Sequence, residues 1–181
     1  MSSLNHFLLL FLELVIATII IYQLVLRTLP YLMYALAKKA TVKNANKLRY
    51  FDLPTPQNKT KMPSPEILYS IAFYDVRKKN VRISGDIPTD TYWSIALHTN
   101  NSINFLTKND AQYPDKKINM LLVKSDKSAP FPAKADEGLV EIIRVPSPKG
   151  IVVLRILQPN YFNEESTSFK DMQQSIVVEE V

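Results

Sequence analysis

The sequence holds no cysteine, two histidines and three glycines among its 181 residues. Without cysteine there is no disulfide framework, no thiolate-based zinc or iron–sulfur site and no thiol nucleophile. Gly85, Gly138 and Gly150 stand too far apart to form a glycine-rich phosphate loop. His6 and His98 are too few for a metal triad, and no G-x-S-x-G elbow occurs. These absences weigh against an enzyme, and no metal or cofactor is expected. Acidic side chains are also scarce at one end, where Glu13 is the single acid before Asp52.

The net charge of +5 and pI near 9.3 hide an uneven distribution. Residues 27–82 hold twelve Lys/Arg against Asp52, Glu66 and Asp75, whereas residues 83–181 hold ten against thirteen acids. A basic chain often binds nucleic acid. Here the basic excess begins directly after an apolar run, which points to a lipid surface and away from nucleic acid.

From Phe7 to Leu26 the chain reads FLLLFLELVIATIIIYQLVL, with fifteen Leu, Ile, Val or Phe in twenty positions. Twenty helical residues span about 30 Å, the hydrocarbon thickness of a bilayer. One central charge costs about 3 kcal/mol on insertion scales, against about 5–9 kcal/mol returned by fifteen strong apolars. Insertion therefore wins despite Glu13. Glu13 and Gln23 are either contacts for a partner helix or polar groups that a very apolar helix tolerates. Pro30 then either kinks a continuing helix or opens a second, interfacial one. Arg27, Lys38, Lys39, Lys43, Lys47 and Arg49 form a collar suited to anionic headgroups, at about 1 kcal/mol per basic residue near the surface. Ala35-Leu36-Ala37 fits a signal-peptidase site, but no Lys or Arg precedes the helix and its apolar core is too long, so an uncleaved anchor is expected. The same charges, counted by the positive-inside rule, would put the following domain in the cytoplasm.

The expected organisation is a transmembrane helix with an interfacial extension over 1–37, a basic, proline-rich linker over 38–66, a β-rich domain over 67–160 and a tail over 161–181. Short runs rich in β-branched and aromatic residues predict strands at Ile67–Tyr74, Val81–Ile87, Thr91–Thr99, Ile103–Thr107, Ile118–Lys124, Gly138–Val145 and Gly150–Leu157. Turn chemistry separates them, as at Lys78-Lys79-Asn80 and Ser147-Pro148-Lys149. Such spacing suggests a small antiparallel β-sandwich or a partly open barrel. The last two strands read as a hairpin, and a short helix is expected near Ser168–Ile176. Trp93 alternates in register with Ile95 and Leu97 and is expected in the core.

The one soluble polar constellation gathers His98, Thr99, Asn100 and Asn101, with Asp110 expected at the same mouth of the sheet. It would serve ligand or partner contact. A lone histidine at a strand end is more often a hydrogen-bonded structural residue. The turn cluster Arg77-Lys78-Lys79 and Arg82 is either solvated or faces lipid or an acidic partner.

Leu68-Tyr69-Ser70 with Asp75, then Tyr92-Trp93-Ser94, Thr99-Asn100-Asn101, Asp110, Val145-Pro146 and Gly150 to Arg155 follow one another in an order that resembles the bacterial envelope family known as domain of unknown function twelve-fifty-four. The resemblance covers roughly residues 30–160 and is nearest to the short, membrane-anchored, single-domain form. One departure is Lys79-Asn80, where members commonly carry a glycine before the second strand. The resemblance implies a mainly antiparallel β domain on the periplasmic side of the inner membrane. It also implies a protein partner in the same membrane, a companion domain of unknown function, and it offers no catalytic residue to carry over. The expected function is thus a membrane-anchored accessory or interaction module of the cell envelope. The alternatives are an anchored periplasmic enzyme or small-ligand binder near His98 and Asn101, and a single-pass subunit of a larger membrane complex.

Overall fold

The computed structural model of the chain describes residues 3–41, 44–51, 64, 66–88, 91–112, 117–125, 140–158 and 166–181. A single helix, α1 (Ser3–Thr41), opens it and continues through Pro30. Its 39 residues make it about 58 Å long, roughly twice the thickness of a bilayer core. Within Asn5–Thr41 an 18-residue window reaches a mean hydropathy of 2.5, so this helix is long and apolar enough to span a membrane. Between residues 5 and 41 only Pro30, Tyr34, Lys38 and Thr41 escape full exposure. Their spacing is one helical stripe, and this stripe is the face that meets the β domain.

The β domain is a sandwich of two sheets, with no closed barrel among the described residues. The strands are β1 (Leu48–Tyr50), β2 (Ile67–Asp75), β3 (Val81–Asp86), β4 (Trp93–Thr99), β5 (Asn104–Asn109), β6 (Lys117–Lys124), β7 (Glu141–Val145), β8 (Lys149–Leu157) and β9 (Val177–Glu180). A 3-10 turn, Asp110–Gln112, follows β5, and a second helix, α2 (Ser166–Ser175), precedes β9. The first sheet runs β1-β2-β8-β4-β5 and is antiparallel throughout. The second runs β7-β6-β3-β9 and is mixed, because β6 and β7 pair in parallel.

Period-two alternation sets the core. Leu68, Ala72 and Tyr74 of β2, Val152, Leu154 and Ile156 of β8, and Trp93, Ile95 and Leu97 of β4 face Val81, Ile83, Ile118, Met120 and Leu122 of the second sheet. Trp93 is 1% exposed and lies in this core. Phe73 breaks the alternation, being buried between two inward-facing neighbours. Its ring meets Tyr34 of α1 edge-on at 5.4 Å, so the helix covers a residue that the sheet itself would leave outside.

Three features depart from the sequence expectations. The predicted hairpin of the last two strands does not form: β7 joins the second sheet, while β8 lies centrally in the first. The link between them holds Pro146 and Pro148, which donate no hydrogen bond to close a ladder, and the Pro148 carbonyl instead accepts from Val76 N at 2.9 Å. The chain therefore crosses between sheets there. β1 falls within the stretch read as linker and pairs with β2. The tail supplies the expected short helix as α2 but then adds β9, which extends the second sheet beside β3. The α2–β9 junction lies so close to β3 that a Cβ on Gly85 would stand 2.5 Å from Ile176 Cα.

Candidate functional site

The polar constellation at the end of β4 is a closed turn. A bulge at Leu97/His98 precedes it, and Ser102 takes a left-handed conformation with φ 67°. Thr99 N donates to Ile103 O at 2.9 Å, Ser102 N donates to Thr99 O at 3.0 Å, and Ile103 N donates to the Thr99 hydroxyl at 3.2 Å. The Thr99 hydroxyl also meets Asn101 Oδ1, and Asn100 Oδ1 accepts from Ser147 Oγ at 3.0 Å. These groups satisfy one another and fasten the β4–β5 turn to the β7–β8 link. His98 is half-buried beside them on β4.

Asp110 is not part of this group. In the β4–β5 ladder Ser94 faces Asn109 and His98 faces Asn104, so Asp110 lies at the opposite end of β5. Six strand residues separate it from the turn by about 20 Å. It is exposed in the 3-10 turn. Of the basic collar, Lys43 lies outside the described residues. Arg27, Lys39, Lys47 and Arg49 are exposed, while Lys38 is half-buried on the helix stripe. Arg49 donates to the Thr41 carbonyl and its guanidinium lies 5.2 Å from the Phe51 ring centre. Glu13 and Gln23 are exposed on the apolar part of α1.

A concave feature lies where no motif points, between the two edge strands β1 and β9. A cleft of about 470 Å³ is lined by Ala45 to Leu48 and Tyr50 on one side and Val177 to Glu180 on the other. Asn46 and Tyr50 clamp it. Asn46 is 4% exposed and left-handed at φ 59°, a conformation that asparagine tolerates better than most residues. Its Oδ1 accepts from Asp75 N at 2.7 Å, and its Nδ2 donates to Asp75 O at 3.2 Å and to Glu180 Oε1 at 2.9 Å. The side-chain amide thus acts as one more strand residue at the end of β2 and ties it to β9. The Tyr50 hydroxyl donates to Ile176 O at 2.9 Å, and burial raises its pKa above the ordinary phenol value.

Part of the backbone along this cleft has no partner among the described residues. Phe51 N donates to Tyr69 O, which sets the phase of the β1–β2 ladder and turns the amides of Leu48 and Tyr50 away from β2. Val181 N donates to Asn80 O, which likewise turns the amides of Val178 and Glu180 away from β3. On the opposite flank the sandwich is tied differently, by an ion pair between Lys108 of β5 and Glu141 of β7 at 3.1 Å. Asp75 sits beside the clamp, held by Arg77 Nη2 at 2.7 Å and Nε at 2.9 Å. The hydrogen bonds from the guanidinium keep its carboxyl below the usual carboxylate range, with Lys149 adding to the effect. Among the described residues no group of His, Asp and Glu is placed to hold a metal ion.

No pattern in the sequence singles out Asn46 or Tyr50, because Glu180 and Ile176, which they hold, lie more than a hundred residues away in β9 and at the α2–β9 junction. A comparison with a solved structure supports the fold. It superposes on the crystal structure of the VPA0106 protein from Vibrio parahaemolyticus with a TM-score of 0.61 at 15% identity, covering 84% of this chain and 35% of that one. An uncharacterised protein from Burkholderia cenocepacia matches with a TM-score of 0.49 at 14% identity, covering 84% and 39% of the two chains. The chain thus spans little more than a third of either solved structure. No curated protein matches it in sequence. The model of the family described as protein of unknown function (DUF1254) matches residues 45–179, from the clamp at Asn46 to β9, and the chain belongs to that family.

Proposed function

We propose that this protein is a membrane-anchored accessory module of the bacterial cell envelope, whose β domain receives an extended segment of a protein partner in the cleft between β1 and β9. The observation that carries the reading is the pair of sheet edges along that cleft, whose amides at Leu48, Tyr50, Val178 and Glu180 have no partner among the described residues. An unpaired edge is a template for one more strand, with backbone bonds giving affinity and alternate side chains giving specificity. The anchor is α1, which is apolar enough to hold the domain in a membrane. The Vibrio chain carries polypeptide well beyond the part that this fold covers. A companion domain, held in the same inner membrane on its periplasmic side, is the partner this reading assigns.

A photo-reactive residue placed at Val177, exposed on the cleft, tests the reading in living cells against the same residue at Tyr92. One discrete adduct from Val177 and none from Tyr92 is expected, with the cross-linked peptide extended. Absence of a Val177 adduct at native expression would sink the proposal. Fusing alkaline phosphatase to the carboxyl terminus tests the side of the membrane, since that enzyme is active only outside the cytoplasm.

A further inference from the structure

The contacts of α1 give the β domain a direction relative to the apolar stretch. At the far end of the helix the Thr41 carbonyl accepts from Arg49, whose ladder partner is Ile71. Nearer the apolar stretch, Tyr34 meets Phe73. The step from Ile71 to Phe73 therefore follows the step from Thr41 back to Tyr34, and β2 points its carboxyl end along α1 toward residues 7–26. Tyr34 lies eight residues beyond Leu26, about 12 Å along the helix. Arg77 lies four residues beyond Phe73, about 13 Å along an extended chain. These lengths bring the β2–β3 turn level with Arg27.

The same end of the sandwich collects the other turns. Val76 N donates to the Pro148 carbonyl, Lys149 faces Asp75, and Thr99 faces Gly150. Lys124 lies two residues past Leu122, the partner of Val81. Arg77, Lys78, Lys79, Lys124 and Lys149 thus share one end of the domain. Asp75 pairs with Arg77, and Glu180 stands 3.8 Å from Lys79, so the basic charges outnumber these carboxylates. At the tip of the neighbouring turn stands Ile103, an apolar side chain 58% exposed. The sequence separates these residues by as many as seventy-two positions, from Arg77 to Lys149.

We infer that this turn end of the β domain lies on the bilayer and binds anionic phospholipid headgroups, with Ile103 entering the interface. The inference rests on the reading of α1 as a membrane anchor. Basic residues near an apolar anchor gain from the negative surface potential, and a single exposed apolar side chain among them gains from partial burial in the interface. The domain is then fixed on the membrane by two contacts, the helix stripe and its own turns. The β1–β9 cleft stands at one flank of a fixed body.

The chain has no cysteine, so single-cysteine variants report position directly. Ile16→Cys, Ile103→Cys and Tyr92→Cys, each carrying a fluorophore in the full chain, are reconstituted into phosphatidylcholine vesicles with or without phosphatidylglycerol. Lipids bearing a nitroxide in the acyl chain should quench the label at position 16, which reports the anchor. Headgroup nitroxides should quench the label at 103 severalfold more than the label at 92, and more strongly with phosphatidylglycerol. Arg77→Gln, Lys78→Gln and Lys79→Gln together should remove that lipid dependence. Quenching at 16 with equal signals at 103 and 92 overturns the inference and leaves the anchor standing. No quenching at 16 overturns the anchor, and the inference with it.

Discussion

Tyr74 stands opposite Gly150 in the β2–β8 ladder, and its ring lies across the space that a side chain at position 150 would need. A Cβ on Gly150 would overlap both the Tyr74 phenol and the His98 carbonyl oxygen. The glycine is required by this close approach, because backbone as well as side chain would have to give way. Gly150→Ala should therefore destabilise the protein by about 1–3 kcal/mol, the usual range for overpacking. Urea unfolding in detergent should show a lower midpoint at unchanged slope, and a midpoint equal to that of the natural sequence would contradict the packing described.

The Tyr74 hydroxyl is buried in that contact with no hydrogen-bond partner among the described residues. Burial pushes its ionisation far above the ordinary phenol range. An unpaired buried hydroxyl carries a desolvation cost of about 1–3 kcal/mol in protein mutational data. Tyr74→Phe keeps the ring over Gly150 and removes that cost. Thermal unfolding should show a Tm unchanged or raised. A clear loss would mean that the hydroxyl is satisfied in solution.

What was legible in the sequence is what local patterning decides. Trp93, Ile95 and Leu97 alternate, and a one-residue slip would turn all three to solvent, so their burial follows from the pattern alone. The fate of the β7–β8 link does not, since each strand shows the same alternation whichever sheet it joins. Phe73 reads as an outward residue until Tyr34 arrives from a helix more than thirty residues earlier. β1 is three residues in a basic stretch, too short for a periodicity to show. Asp110 reads as sharing a mouth with His98 because the two are polar and near in sequence, while an antiparallel hairpin sends them to opposite ends. Asn46 is invisible for a similar reason: its role exists only when the end of β2 and the end of β9, in different sheets, come together.

Asp75 makes stability depend on pH in a defined sense. Its folded-state pKa is lowered, chiefly by hydrogen bonds from Arg77, so the unfolded chain binds the proton more tightly than the folded one. Stability from this group is present above the unfolded value of about 4 and is lost as pH falls through the folded value. Asp75→Asn removes the effect. The urea midpoint of the variant should lie below that of the natural sequence at pH 6, and the two should converge as the pH is taken below the ordinary carboxylate range. A difference that stays constant across this range would assign the loss to packing and not to charge.

Asn46 combines a backbone requirement with a side-chain requirement, and two substitutions separate them. Its left-handed φ of 59° costs most residues about 1–2 kcal/mol, whereas glycine adopts it freely. Its amide makes three hydrogen bonds, to both backbone groups of Asp75 and to Glu180, each worth about 0.5–1.5 kcal/mol net. Asn46→Gly loses the bonds and keeps the backbone; Asn46→Ala loses the bonds and strains the backbone. Both should unfold at lower urea than the natural sequence, with Asn46→Ala lower than Asn46→Gly by about 1 kcal/mol. Because Asn46 ties β9 to the end of β2, exchange of the Glu179 and Val181 amides, which face β3, should also quicken in both variants, ahead of exchange in β4 and β8. Equal stability of the two variants would mean that the backbone relaxes at no cost and the side-chain amide alone holds the clamp.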